Sequence, residues 1–482
     1  MRAAVLAGVA VVLVAAPSAA AFTPPNPYYA QQWYLAQDHA FDAWSAPPAG
    51  LAPVKVAVVD SGVDCSLPDF AGRIVATRSF VGGDPCTDTD GHGSIVAGEI
   101  AGDLGTNGVV GIAYSAQLIV AKVVRSDGTI PLQAEADAIR WAADQGARVI
   151  NLSLGGVRDP AEPSRDTYSP LEAAAVAYAA SKGVLLVAAA GNSDEAYSTP
   201  WPYASYPAAL PHVIGVGALA RSGDVPDYSD RDPVYVDLAA PGSDIFSTFP
   251  LALTSASPAC TPQGYTPCGT TDYRQPEGTS FAAPQVSGAA ALLFALDPGL
   301  TASQVTWVLE RTADDVNGSN GCSQCPNGRD KFSGWGRLDV ARAVGVVLEG
   351  GPIPPPDRYE TNDDAGSQAY TLWGTSRTID ATLDYWNDRV DVYRLRLTKG
   401  QQLRMRLVAQ WSRANVVLTV WRPGTVAVDT AASRGLRAAQ STAPGAVQRL
   451  AFRVPATGWY YVEVKAGSPG SGPYVLTLAK RG

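Results

Sequence analysis

Four polar residues stand at positions where their side chains could do chemistry together: Asp60, His92, Asn192 and Ser280. Ser280 opens an apolar stretch that predicts a helix, and the free N–H groups and positive dipole end of a helix start stabilise an oxyanion formed beside them. Pro284 falls within the predicted first turn, where a missing N–H is harmless. Because a serine before an apolar run is also an ordinary helix cap, the motif by itself leaves both a nucleophile and a cap open.

His92 is the natural general base among the 3 histidines of the chain. It lies between two glycines at the start of a predicted helix, whereas His39 belongs to the N-terminal arm and His212 begins an apolar strand. Asp60 and Asn192 each end an apolar run, so a carboxylate could orient the imidazole and an amide could donate to a developing oxyanion. A turn or loop residue is the alternative interpretation of both.

Alternating strand and helix patterns must position these residues. Apolar, β-branched runs predict buried strands at residues 54–59, 118–124, 149–154, 184–190 and 213–216, and helical patterns lie at 93–101, 132–145 and 171–181. Strands that alternate with helices predict an α/β fold with a doubly wound, mostly parallel sheet. Active sites in such folds lie at the carboxyl ends of the strands, which is where the polar residues fall.

The four segments in this order resemble the subtilase family of serine proteases, in which Asp, His and Ser follow one another as they do here. The motifs that carry the resemblance are Val58-Val59-Asp60-Ser61-Gly62, Asp90-Gly91-His92-Gly93-Ser94, Ala189-Ala190-Gly191-Asn192 and Glu277-Gly278-Thr279-Ser280. The resemblance spans residues 22–345 and implies a serine endopeptidase, a hydrolase that cleaves proteins through an acyl-enzyme. In that mechanism Asp60 holds the imidazole of His92, which takes the proton of Ser280. Asn192 and the Ser280 N–H form the oxyanion hole.

The same resemblance implies where an extended substrate would bind. The expected substrate-binding residues are Ser126, Asp127, Gly128, Ser153, Leu154, Gly155, Gly156, Ala189, Gly191 and Ser205. Pairing with the substrate main chain recognises backbone regardless of side chain, so broad specificity is expected. The primary pocket is expected to take apolar or aromatic residues, although Asp194 and Glu195 could instead favour a basic one.

The beginning of the chain has the charged, apolar and small-residue regions of a secretory signal peptide at residues 1–21. This predicts a secreted, extracellular protein with no membrane span in its mature part. An even count of 6 cysteines in an exported chain favours disulfides over thiol chemistry. Sequence proximity predicts the pairs Cys65–Cys86, Cys260–Cys268 and Cys322–Cys325, the last of which could alternatively be a redox or metal motif.

Catalysis of this kind needs no cofactor, but a structural calcium ion is a possible addition. The residues that could provide oxygen ligands are Asn26, Asp69, Asp103 and Asn107. A solvated turn around residues 102–108 is the alternative.

The C-terminal part of the sequence has a different pattern. A Gly- and Pro-rich linker at residues 346–356 leads into residues 357–482, where apolar residues alternate with period two and predict a small all-β sandwich. This part is similar to the C-terminal domains of secreted bacterial peptidases.

The formal net charge of −9 argues against a nucleic-acid partner. Residues 22–356 are strongly acidic, whereas residues 357–482 have more Lys and Arg than Asp and Glu. Protein or peptide substrates are expected, together with an anionic cell-surface polymer bound by the basic domain, and the enzyme is expected to be a monomer.

Two other functions remain as alternatives. An esterase would need a nucleophile elbow, but residues 278–282 lack its second glycine. A catalytically silent adhesin or binding protein could use a protease fold, because fold alone does not establish activity. The presence of all four catalytic residue types argues against it.

Overall fold

The computed structural model describes residues 22–45, 51–255, 263–270, 274, 276–355, 357–428 and 435–482. The predicted signal peptide at residues 1–21 lies outside these ranges, as does Cys260.

The first region alternates helices and strands. Its elements are α1 (Trp33–Gln37), α2 (Ala40–Trp44), β1 (Lys55–Asp60), β2 (Ile74–Ser79), α3 (His92–Ala101), β3 (Gln117–Lys122), α4 (Leu132–Asp144), β4 (Val149–Leu152), α5 (Pro170–Ser181), β5 (Leu185–Ala189), β6 (Val213–Leu219), β7 (Leu238–Pro241), α6 (Leu251–Thr254), α7 (Thr279–Leu296), α8 (Ala302–Thr312) and α9 (Val340–Leu348).

Strands β1–β7 form one parallel sheet in the order β2-β3-β1-β4-β5-β6-β7. Helices α3, α7, α8 and α9 pack against one face, and α4 and α5 pack against the other. Because both faces are covered, the central strands are almost continuous runs of Val, Ile, Leu and Ala. The predicted doubly wound α/β fold is confirmed.

Two strands, β2 and β7, were not predicted, and the ends of several others differ from those expected. The edge strand β2 was not predicted, because its side chains alternate between half-buried and exposed and give no apolar run. Strand β4 ends at Leu152 rather than at Leu154. The residues after it therefore leave the sheet, and their backbone becomes available at the sheet's carboxyl edge.

The C-terminal region is a β-sandwich, as predicted. Its strands are β8 (Tyr370–Thr371), β9 (Ser376–Asp384), β10 (Val390–Leu397), β11 (Gln402–Ala409), β12 (Val416–Trp421), β13 (Arg437–Ser441), β14 (Val447–Arg453), β15 (Gly458–Ala466) and β16 (Ser471–Arg481). One sheet has the order β13-β12-β15-β10-β8 and the other β14-β11-β16-β9. Alternate side chains of both sheets point inward and form one apolar core.

The sandwich is docked on the first region by polar and aromatic contacts. His212 Nε2 lies 2.5 Å from Asp363 Oδ2. Asn387 Nδ2 donates to Glu310 Oε1 at 2.5 Å. Other contacts across the boundary are Arg311 with Asp384 and Ser471, Trp335 with Trp386, and Gln304 with the Pro354 carbonyl. The linker therefore does not separate two independent bodies.

Disulfides join cysteines that are close in sequence. Cys65 is bonded to Cys86, which links the loop after β1 to the loop before α3, and Cys322 is bonded to Cys325. Cys268 is also disulfide-bonded, and its predicted partner Cys260 lies outside the described residues.

Among the described helices, α7 is long and apolar enough to cross a membrane by composition. Its most apolar window is 89% buried inside the protein, because α7 packs against the central sheet. It is therefore a core helix here.

Candidate active site

The carboxyl edge of the sheet brings the four singled-out polar residues into one cleft of ≈ 370 Å³. Asp60 is the last residue of β1, His92 is the first residue of α3, and Asn192 follows β5. Ser280 is the second residue of α7. Residues far apart in the chain thus meet because each follows or begins an element that ends at this edge.

The imidazole of His92 is held by a buried carboxylate. Its Nδ1 lies 2.9 Å from Asp60 Oδ1 and 3.0 Å from Asp60 Oδ2. The Asp60 side chain is 3% exposed and that of His92 is 19% exposed. A carboxylate beside Nδ1 favours the proton on that nitrogen, which leaves Nε2 as the acceptor on the other side of the ring.

Small residues and a second aspartate build the turn that carries His92. A Cβ on Gly91, whose φ is +105°, would lie 2.3 Å from the ring of Phe249. Asp88 is buried and accepts hydrogen bonds from the Gly91 N–H at 2.9 Å and from the Ser94 hydroxyl at 2.7 Å. Asp88 was not predicted as a site residue, although it holds the first turn of α3 in place.

The backbone of Ser280 is tied to the loop after β4. The Ser153 hydroxyl donates to the Ser280 carbonyl at 2.6 Å. In return, Ser280 Oγ donates to the Ser153 carbonyl at 3.3 Å. Pro284 lies inside α7, beyond its first turn, which corrects the sequence prediction. Since proline has no N–H for the carbonyl four residues earlier, the Ser153 hydroxyl supplies the missing donor.

The side chain of Asn192 is oriented by Thr279. Its Oδ1 accepts hydrogen bonds from the Thr279 N–H at 3.0 Å and from the Thr279 hydroxyl at 3.2 Å. The same hydroxyl accepts from the Gly191 N–H at 3.1 Å. With Oδ1 bound in this way, the amide N–H groups of Asn192 are left for the cleft that it lines.

The expected substrate-binding residues divide into two groups. Those that line the cleft are Gly128, Ser153, Leu154, Gly155, Ala189, Gly191 and Ser205. Those outside its lining are Ser126, Asp127 and Gly156. The Gly156 N–H and carbonyl are both bonded to the backbone of Tyr206 at 2.9 Å, so they are not available to a substrate. Asp127 lies in an exposed turn, where its carboxylate accepts from the N–H and hydroxyl of Thr129.

Residues 52–336 match the family described as Peptidase_S8, the subtilase family. This chain is a subtilase. It is accordingly a subtilisin-like serine peptidase, a hydrolase.

Two relatives of this subtilase each match about three fifths of the chain. Thermitase of Thermoactinomyces vulgaris is 35% identical over 302 residues, which are 62% of this chain and 94% of thermitase. The cell wall-associated protease of Bacillus subtilis (strain 168) is 36% identical over 312 residues, 61% of this chain and 31% of that protein. A solved structure of a protease from Pseudoalteromonas arctica PAMC 21717 has a TM-score of 0.54 and 26% identity, covering 67% of this chain and 99% of the other.

Charge in the subtilase's cleft favours a protonated His92. Burial lowers the pKa of the imidazole, but the charge and hydrogen bond of Asp60, followed by the charges of Asp90 and Asp88, raise that pKa to about 9. The stabilising effect of these carboxylates on the imidazolium therefore exceeds the cost of its desolvation.

Acidic groups also lie at the pocket next to Asn192. Glu195 lines the cleft, and burial followed by the charge of Asp194 raises the pKa of its carboxyl. Behind it, Asp230 accepts from Ser205 Oγ at 3.4 Å, and burial is the main reason that the pKa of Asp230 rises to about 8. A basic substrate side chain would stabilise the ionised form of either carboxyl.

The four residues expected to bind calcium do lie close together, but an amide nitrogen takes the central position. Asn26 Nδ2 donates to the carbonyls of Asp103 at 2.8 Å, Asn107 at 2.5 Å and Val109 at 3.0 Å. Three carbonyl oxygens that converge on one point could coordinate a cation. Here an NH₂ group, which has only two hydrogens, occupies that point.

The carboxylates of the same loop are also engaged elsewhere. Asp69 accepts from the Val109 N–H at 2.9 Å and from the Tyr265 hydroxyl at 2.7 Å. Asp103 forms an ion pair with Arg73 at 2.5 Å. Because Asn26 presents a donor and neither carboxylate is unpaired, these residues in this arrangement do not fit a calcium ion.

Proposed function

We propose that this subtilase is a secreted endopeptidase that cleaves proteins with Ser280 as nucleophile, His92 as general base and Asp60 as its partner. The contact of His92 Nδ1 with both carboxylate oxygens of Asp60, in the cleft that Ser280 also lines, carries the proposal. Family membership supports a serine endopeptidase, and the geometry supports these residues within it.

Each proton transfer has a place in this geometry. With Nδ1 facing Asp60, the neutral imidazole presents Nε2 as the acceptor for the Ser280 proton while Oγ attacks the peptide carbonyl. The ring then returns that proton to the departing amine, which leaves an acyl-enzyme. Water attacks the ester in the second half of the reaction, with His92 again as base. Asp60 stays ionised throughout and stabilises the imidazolium.

The oxyanion would be held by two donors that are already in position. One is the Ser280 N–H in the first turn of α7, whose helix dipole also favours negative charge. The other is the Asn192 amide, oriented through its oxygen by Thr279. Donors fixed before the reaction cost no reorganisation when charge develops, which is why such interactions matter most in the transition state.

Substrate recognition would rely on main-chain pairing with residues 153–155, so we propose broad specificity. These residues follow the end of β4 and line the cleft. Glu195 in the same lining would add acceptance of a basic side chain to the apolar preference. A peptide library varied at the residue before the cut tests this, since neutralising Glu195 should lower cleavage after Lys and Arg and leave cleavage after Phe unchanged.

The organisation of the chain is part of the proposal. Residues 1–21 would be removed as a signal peptide, 22–345 would form the peptidase domain, 346–356 the linker and 357–482 the sandwich domain. The mature protein would be an extracellular monomer, and its basic sandwich would bind an anionic cell-surface polymer. Catalysis would need no cofactor.

A fluorophosphonate probe tests the catalytic assignment directly. The wild type should be labelled on the peptide that contains Ser280, and Ser280→Ala should lose both labelling and casein hydrolysis. Ser205→Ala is the matched control, because it removes another hydroxyl of the same cleft and should still be labelled. Casein hydrolysis by a folded Ser280→Ala protein would refute the assignment.

A further inference from the structure

Two tryptophans and four basic side chains lie together at one end of the sandwich domain. Trp373 follows β8 and Trp459 is the second residue of β15, and their rings pack edge to face with centroids 5.8 Å apart. The basic residues come from the start of β9, the second half of β10 and the end of β16. We call the six residues the Trp–Arg site: Trp373, Trp459, Arg377, Arg394, Arg396 and Lys480. Strands of both sheets therefore contribute to one surface.

Two of the cations flank the ring of Trp459. The guanidinium of Arg394 lies 5.6 Å from the centroid of that ring. Arg396 is paired with Trp459 across β10 and β15, so the two side chains leave the same face of the sheet. Arg394 and Arg396 are two positions apart on one strand and therefore point in the same direction. The indole thus lies between two positive charges.

The other two cations complete a ring of positive charge around the tryptophans. Lys480 Nζ donates to the Arg396 carbonyl at 3.2 Å. A Cβ on Gly374, the residue after Trp373, would lie 3.4 Å from Arg377 Nη2. Burial, followed by the charge of Arg377, lowers the pKa of Lys480. An anion bound among these side chains would relieve that repulsion.

The four cations have no acidic partner of their own. None of them takes part in an ion pair within the described part of the chain. Arg394 donates to the Thr371 hydroxyl at 2.6 Å and to the Gly366 carbonyl at 3.2 Å, and both of these acceptors are neutral. Four positive charges are therefore available to an anion that comes from solvent.

Trp373 is placed where packing alone gives little return. Its side chain is 65% exposed, and every other tryptophan of the described chain is more buried. An exposed aromatic ring beside other aromatic and charged groups is typical of a binding surface. A flat apolar indole suits the C–H face of a sugar ring, and the planar fork of a guanidinium suits a carboxylate. The two residue types together favour a ligand that has both groups.

The Trp–Arg site lies at the end of the sandwich that is remote from the peptidase region. Strand β9 passes from Arg377 to Asp384, and the Asp384 carboxylate is 3.5 Å from Arg311 of the peptidase region. An extended strand of that length spans about 23 Å. This distance is more than twice the screening length of ~8–10 Å, so the acidic peptidase region would repel a polyanion only weakly at this site.

We propose that the Trp–Arg site binds an acidic polysaccharide, with a sugar ring on Trp373 and carboxylates on the surrounding cations. The inference rests on the proposed binding of an anionic cell-surface polymer by the sandwich domain and names the chemical class of that polymer. A polyanion without sugar rings would leave Trp373 exposed. Single-stranded nucleic acid stacks successive bases on several aromatic faces, whereas this edge-to-face pair has one well-exposed indole.

Binding is measured by calorimetric titration with alginate oligosaccharides, which are chains of uronic acids. The protein is the full chain carrying Ser280→Ala, which prevents self-digestion. Alginate should bind, and its affinity should fall as salt screens the charges. Dextran has neutral sugar rings and poly-glutamate has carboxylates without rings, and each should bind at least tenfold more weakly than alginate. The comparison separates stacking from charge.

Variants of exposed side chains locate the site. Trp373→Ala should weaken alginate binding by about tenfold or more, and Trp373→Phe, which keeps an aromatic face, should retain most of it. Arg377→Gln combined with Arg396→Gln should weaken binding by about tenfold and reduce its salt dependence.

The matched control removes the same charge elsewhere on the domain. Arg406→Gln combined with Arg449→Gln changes two exposed arginines that are paired across β11 and β14, in the other sheet. These substitutions should leave alginate binding unchanged. Thermal melting curves check that each variant is folded.

Several results would overturn the inference. Alginate affinity that is unchanged in both Trp373→Ala and the Arg377/Arg396 variant would place the ligand elsewhere. Equal affinity for poly-glutamate and alginate would show a surface that recognises charge alone, and tighter binding of single-stranded DNA would identify another class of partner.

The proposed surface binding is tested separately. A parent protein that binds a bacterial cell-surface preparation but not alginate would keep the proposed anionic polymer and overturn the choice of an acidic polysaccharide. A parent protein that binds neither would overturn both. These measurements do not depend on peptidase activity, so they leave the catalytic assignment to its own test.

Discussion

Thr279 should contribute to catalysis without touching the substrate's reacting carbon, and Thr279→Val tests this. The residue is fully buried, and its hydroxyl joins Asn192 Oδ1 to the Gly191 N–H. Valine keeps the shape of the side chain and the backbone hydrogen bond to Asn192, and removes only the hydroxyl. The amide of Asn192 would then keep one of the two hydrogen bonds that orient its oxygen.

The size of the effect follows from what is lost. A neutral hydrogen bond contributes about 0.5–1.5 kcal/mol, whereas an oxyanion donor itself is worth roughly 2.7–4 kcal/mol. Since Thr279 acts through Asn192, its loss should cost about 1 kcal/mol of transition-state stabilisation, or about fivefold in kcat. Asn192→Ala should cost about 10²–10³-fold in kcat. KM should change little in either variant, because the oxyanion exists only in the transition state.

Steady-state kinetics on a short chromogenic peptide measures both constants. Thr279→Ser keeps the hydroxyl and should remain near the wild type. In the Asn192→Ala background, Thr279→Val should have almost no further effect on kcat, because the group it orients is already gone. The same fivefold loss in that background, or a change confined to KM, would refute the role assigned to Thr279.

Three further outcomes are expected. Because the proposed base is the neutral form of His92 and its pKa is about 9, kcat/KM should rise with pH through about 9; a profile that is flat there would contradict the assignment. Asn26→Leu should lower the thermal midpoint, because three carbonyls lose their hydrogen-bond donor and each hydrogen bond left unmade costs about 1–3 kcal/mol. An unchanged midpoint would show that Asn26 does not stabilise the loop. His212→Ala should lower the thermal midpoint, and the effect should be largest at pH values below about 6.5, the pKa of histidine in the unfolded state. In the folded state burial lowers the pKa of His212, but Asp363 raises it to about 9. The stabilisation from this ion pair is therefore lost as pH rises through about 9. Melting curves at a series of pH values measure this difference, and a difference that grows with pH would contradict it.

The fold could be predicted because both faces of the central sheet are covered. Burial on two sides produces apolar runs that are visible without structure, and polar residues that follow them fall at one edge. The edge strand β2 lacks such a run, since its side chains alternate in exposure. The loops that follow the strands were harder to predict. Gly156 pairs with Tyr206, a residue 50 positions later in the sequence, and no local pattern encodes that contact.

The poor fit of the expected calcium ligands could not be recognised from the sequence. Asn26 does lie beside the loop, but whether it turns an oxygen or a nitrogen toward three carbonyls depends on the fold. The role of Pro284 was also misjudged, since its missing N–H is replaced by the hydroxyl of Ser153, a residue far away in the sequence.

The docked sandwich has a geometric consequence for long substrates. The contacts of Asn387 with Glu310 and of His212 with Asp363 fix the orientation of the sandwich relative to the cleft. A domain on a flexible linker would instead sample many orientations. A polymer anchored on the sandwich would meet Ser280 from one side and at one offset. Cleavage would then recur at a set distance from the anchor, and the lengths of the released fragments would record the spacing between the two surfaces.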